Sequence, residues 1–180
     1  MTKGSWGASR RSLAQVEHIS HDWLTPCEYL PYIDALLRDI DLDPCSTYDA
    51  NNQFLRARKI YTYEVDGLNI EEPWTGKTYL FPPTFGRCSF AEKRGTWRWS
   101  LSAGRGAKAP SVIWFKRLLR EWKLRNIPEA LFFTTYSEMI RTCPEMWDFP
   151  VCVPTDRANL IHGKKFECLE SPISLSLIHI

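Results

Sequence analysis

The sequence predicts a single α/β domain in which a mostly parallel sheet is flanked by helices. Short strand-forming runs alternate with helical segments, the arrangement that produces parallel strands joined by crossover helices. Two of those runs stop at proline turns, Asp43-Pro44-Cys45-Ser46 and Phe81-Pro82-Pro83, as the ends of sheet strands do. A length of 180 residues suffices for one full hydrophobic core and is short for two.

With 44% hydrophobic and 24% charged residues the composition is globular, and no apolar stretch has the length needed to span a bilayer. Residues 1–20 read as a flexible arm: they carry Lys3, Arg10 and Arg11 but no apolar core of a signal peptide. The domain proper is expected over 21–174. Six cysteines are scattered without a C-x-x-C pair, and His18, His21 and His162 lack ligands at zinc spacing, so no metal and no disulfide framework is expected. A net charge of +2 is too small to mark the whole chain as nucleic-acid binding.

Thr25 reads as an N-cap, with Pro26 at the first helical position and Glu28 closing a capping box. The helix should run through Tyr29, Tyr32, Ile33, Leu36 and Leu37, kinked or shortened at Pro31. Residues 40–42 form a short strand that delivers Asp43 to its carboxyl end. A short helix over 47–57, a strand over 59–63 and an Asp66-Gly67 turn follow.

Trp74-Thr75-Gly76 turns the chain into the strand 77–81, which the proline pair ends. Ligands of open α/β sheets bind at such strand ends, although a Pro-Pro pair is also ordinary loop punctuation. Residues 86–110 then change in character. Arg87, Lys93, Arg94, Arg98, Arg105 and Lys108 stand against one acid, with Trp97 and Trp99 between them and glycines at 95, 104 and 106. Basic residues interleaved with aromatics suit phosphate contact and base stacking, and a solvated loop is the plainer alternative.

The clearest helix begins at Ser111, with Val112, Phe115, Leu118, Leu119 and Trp122 on one face and basic residues, Arg117 among them, around it. Residues 130–134 suit a buried strand, 137–141 a short helix, and 151–153 and 157–161 two late strands. Residues 175–180 match the translation of a mosaic-end adaptor used in sequencing libraries, so they are expected to be non-native and the last native strand missing, with an alternation that suits the tail to mimic that strand by pairing at a sheet edge.

Taken in order, Trp23-x-Thr25-Pro26, Asp41-Leu42-Asp43-Pro44-Cys45-Ser46, Asp66-Gly67-Leu68, Trp74-Thr75-Gly76 and the Pro-Pro strand end resemble the phage-type DNA N6-adenine methyltransferase family, the Dam-like group. Pro150-Val151-Cys152-Val153-Pro154 and Arg157-Ala158-Asn159-Leu160-Ile161 are similar to that family's closing strand and hairpin. The resemblance implies a Rossmann-like fold, S-adenosylmethionine as cofactor, adenine-containing DNA as partner, and the cytoplasm of a host cell as location. It implies that Trp23, Thr25 and Pro26 line the methionine end of the cofactor. Asp43, Pro44, Cys45 and Ser46 would form the turn that holds its amino and carboxylate groups, the Asp43 carboxylate taking the ammonium and turn amides the carboxylate. Asp66 would accept from the adenosine, or serve only as the Asp of an Asp-Gly turn.

The catalytic motif departs from the family pattern. Where the family has Asn or Asp, Pro, Pro and an aromatic, this chain has Phe81, Pro82, Pro83 and Thr84. The exocyclic amine of adenine is a poor nucleophile, and such enzymes accept hydrogen bonds from it through the Asn or Asp side chain and the first proline carbonyl while the aromatic stacks on the flipped base. Phe81 accepts nothing, Pro82 keeps its carbonyl, and Phe85 offers a stacking surface one position late. Loss of one acceptor costs on the order of a hundredfold or more in rate, by comparison with oxyanion-hole deletions. A catalytically inactive nucleic-acid-binding module of the same fold is thus the second expectation, and restoring Asn at 81 should raise activity in an enzyme only. The third is an unrelated α/β domain whose prolines and tryptophans are structural.

Overall fold

A computed structural model describes residues 23–83, 87–91, 96–100, 106–134, 139–154, 161–162 and 176–180. Its main sheet holds six described strands in the order β3-β2-β4-β7-β10-β8. Strands β2 (Leu42–Asp43), β3 (Lys59–Ile60), β4 (Thr78–Leu80) and β7 (Ala130–Thr134) are mutually parallel. Strand β10 (Ser176–His179) runs antiparallel to both β7 and the edge strand β8 (Val151–Cys152). Helices cover both faces, so the α/β class with a mostly parallel, mixed sheet stands as expected.

The two faces follow from strand alternation. Tyr79, Phe81, Leu131 and Phe133 pack with Ile33 and Leu37 of helix α1 (Leu30–Leu37). Leu42, Leu80, Ala130 and Phe132 face the larger cluster built on helix α3 (Pro110–Lys123), whose Ile113, Trp114, Phe115, Leu118 and Leu119 are buried. All five residues of β7 are buried, as in a parallel strand covered on both sides. Between β2 and β3 the chain forms helix α2 (Tyr48–Ala50), which widens into a π turn over Asn51–Leu55; Thr47 caps it by accepting from the Ala50 amide at 3.2 Å. Helix α4 is Met139–Thr142.

Several local expectations change. The Thr25 hydroxyl does not cap a helix: a 3-10 turn (Cys27–Tyr29) starts after Pro26, and α1 starts afresh with Pro31 in its first turn, where a missing amide proton costs nothing. Arg117 is buried, not part of a solvated face, and pairs with Glu121 at 3.0 Å. Within the strand expected over 157–161, residues 157–160 lie outside the described residues; β9 (Ile161–His162) joins β1 (Trp23–Leu24) in a small separate sheet. The tail pairs inside the sheet, between β7 and β8, where Ile178 fills the core and His179 meets Glu129 at 2.9 Å.

The basic segment is no simple loop. Strands β5 (Arg87–Ala91) and β6 (Thr96–Ser100) form an antiparallel hairpin pairing Cys88 with Trp99 and Phe90 with Trp97, and Cys88 also exchanges two backbone hydrogen bonds with Lys108, each 2.8 Å. The period-two pattern Trp97-Arg98-Trp99 is the signal for this strand.

Candidate functional site

From β2 the chain moves outward to β3 and then crosses to the other side of β2 to form β4. The carboxyl ends of β2 and β4 thus flank a topological switch point, where open α/β sheets bind ligands. The sequence places Asp43 at one end and Phe81-Pro82-Pro83 at the other. Leu42 pairs with Thr78, so Asp43 and Tyr79 stand side by side one residue further on.

Asp43 is 2% exposed, and its Oδ1 accepts from the Cys45 amide at 3.0 Å, closing the Asp-Pro-Cys turn. Burial raises its pKa from 3.8 to about 6, with the Cys45 amide and the Ser46 hydroxyl pulling it back only in part. Between those values the folded state holds a proton that the unfolded chain has released. Stability from that proton is present at low pH and is lost as pH rises through about 6. Denaturant unfolding should therefore show wild type losing up to about 3 kcal/mol from this group between pH 4 and pH 7, a loss absent in Asp43→Asn. A cation bound beside Asp43 favours the ionised form, so its affinity should rise over the same window.

Thr25 lies in the same cluster. Its Oγ1 is 2.6 Å from the Tyr79 hydroxyl, and both side chains are buried. Pro26 is buried beside it in sequence, and Trp23 pairs through its backbone with His162. Burial drives the Tyr79 hydroxyl far above its ordinary pKa, with the Asp43 charge adding to the rise, so it stays a neutral hydrogen-bonding group. The sequence alone does not mark Tyr79 as a site residue. Its signal is the strand register, which a single sequence does not display.

The expected use of turn amides changes. The Cys45 amide is taken by Asp43, and the Ser46 amide donates to the Tyr61 carbonyl at 3.1 Å, while Pro44 has no amide proton. These donors hold the turn together and are not directed at a ligand carboxylate. The turn is also clamped from outside. A Cβ on Gly67 would stand 2.1 Å from the Pro44 carbonyl oxygen, and the Gly67 carbonyl accepts from Trp74 Nε1 at 2.9 Å. Asp66, at a positive φ of 60°, accepts from the Leu68 amide at 3.2 Å through Oδ1 and faces Arg98 Nε at 3.3 Å through Oδ2.

Phe81 is 9% exposed and packs edge-on against Phe133, ring centroids 5.6 Å apart. Its side chain is a core group; Pro82 is buried and Pro83 half-buried beyond it. Thr84 lies outside the described residues, as do Lys93, Arg94 and Arg105. Of the expected nucleic-acid contacts, Trp99 is buried, edge-on to Tyr63 at 5.6 Å, and Trp97 packs against the main core, because their alternation turns both indoles inward. Trp99 therefore offers no open face to a base, while Trp97 is half-buried. Arg98 is committed to Asp66, Arg87 starts β5, and Lys108 is exposed beside the hairpin.

No protein-family model, no curated protein and no solved structure matches the chain. Among the described residues no group of three His, Cys, Asp or Glu could hold a metal ion, and no helix is long and apolar enough to cross a membrane.

Proposed function

We propose that this chain is an S-adenosylmethionine-dependent methyltransferase acting on the N6 amine of adenine in DNA, in the cytoplasm of a host cell. The observation that carries the reading is Asp43, a desolvated carboxylate at the carboxyl end of β2, directly beside the strand that ends in Phe81-Pro82-Pro83. The donor set fits the cofactor on its ammonium side: a buried carboxylate gains most from a cationic partner that removes its desolvation penalty. When bound, S-adenosylmethionine supplies an electrophilic methyl group. Asp43 would anchor the amino group, Thr25 and Pro26 would close the methionine end, and the Pro82 carbonyl would accept a hydrogen bond from the adenine amine. Arg87 and Lys108, with Lys93, Arg94 and Arg105 of the same segment, supply the phosphate contacts.

The packing of Phe81 against Phe133 favours a second reading, a domain of the same fold that binds nucleic acid without methylating it. Transfer of a radiolabelled methyl group to adenine-containing DNA separates the two. Turnover on the order of a hundredfold below an enzyme with the Asn or Asp acceptor supports the methyltransferase; DNA binding with no transfer supports the binding module.

A further inference from the structure

Among the described residues, segment 23–26 carries a backbone ladder of two residues of β1 against two of β9. A buried contact on the main sheet adds to it: Thr25 Oγ1 lies 2.6 Å from the hydroxyl of Tyr79, 54 residues away in sequence. The Tyr79 ring packs on Phe133 at 6.4 Å, so the hydroxyl is held at the end of a rigid lever. Tyr79 is 0% and Thr25 4% exposed, so water does not substitute for either partner if the bond breaks. The register sets Tyr79 beside Asp43 on the neighbouring strand, and the Asp43 charge acts on the Tyr79 hydroxyl.

We infer that Tyr79 is the positioning residue of the Asp43 site, its hydroxyl holding Thr25 and with it residues 24–26 against the carboxyl ends of β2 and β4, where a cationic ligand meets Asp43. The inference rests on the reading of Asp43 as the counter-charge of the cofactor ammonium. It makes Thr25 a held group of the cofactor wall, and Tyr79 acts through it.

The test is a cycle of Thr25→Val, Tyr79→Phe and the double variant in the full chain, each substitution removing a hydroxyl and keeping the bulk. In the ligand-free protein, amide hydrogen exchange at residues 24, 25 and 27 should accelerate about tenfold in each single variant. The double variant should add nothing, because both substitutions cut one bond. Calorimetric titration with S-adenosylmethionine should show about tenfold weaker binding in each variant, again without addition, and Thr25→Ser should restore it. Unchanged exchange, additive losses, or accelerated exchange with unaltered affinity each overturn the inference. If wild type does not bind S-adenosylmethionine, the methyltransferase reading and the ligand role of Tyr79 fail together, while the exchange data still decide whether Tyr79 holds the segment.

Discussion

Gly67→Ala should lower the melting temperature by about 5–10 °C, the shift that about 2–3 kcal/mol of overpacking produces in a chain of this size. The added methyl would meet the Pro44 carbonyl oxygen at 2.1 Å, its carbon at 3.0 Å and the Trp114 ring at 3.1 Å. None of these is the free end of a flexible side chain. The 66–68 turn cannot back away without losing the Trp74 hydrogen bond to the Gly67 carbonyl, so the displacement passes to Pro44 and thence to Asp43. Thermal melting checks the stability and titration with S-adenosylmethionine checks the site, and the two losses should appear together. An unaltered melting temperature would mean that the two turns are not in contact.

Phe81→Asn should be destabilised by about 3–5 kcal/mol, since it removes most of a buried aromatic ring and leaves an amide against Phe133. In the sequence the same substitution reads as a restoration of the missing acceptor, with activity expected to rise. The packing changes that expectation: position 81 continues the face that Tyr79 shares with Leu131 and Phe133, so its side chain enters the apolar layer under α1. Denaturant unfolding of the variant gives the cost, and methyl transfer per folded molecule should not exceed wild type. A stable Phe81→Asn variant with raised transfer would show that the strand end swings its side chain towards substrate.

The parts of the site legible in the sequence are those where covalent chemistry dictates the backbone. Prolines end β2 and β4 whatever surrounds them, and Asp43 precedes one of them, so its place at a strand end could be read directly. What was not legible depends on registers and neighbours. The pairing of Leu42 with Thr78 makes Tyr79 a companion of Asp43, and nothing in the residues 77–81 announces it. Trp97 and Trp99 look the same in sequence whether they stack on bases or fill a core. The hairpin, which turns the intervening Arg98 outward to Asp66, puts Trp99 in the core and leaves Trp97 half-buried against it. Likewise Thr25 satisfies a capping pattern by composition, but a buried tyrosine hydroxyl at 2.6 Å claims its oxygen.

The titration to make first is S-adenosylmethionine into wild type and into Asp43→Ala, followed by calorimetry at pH 7.5. Saturable binding in wild type, weakened a hundredfold or more by the substitution while the fold persists, is the predicted result, since a buried charge pair loses several kcal/mol when one partner is removed. No binding by folded wild type, or equal binding by both proteins, would contradict the placement of a cofactor at the carboxyl end of β2.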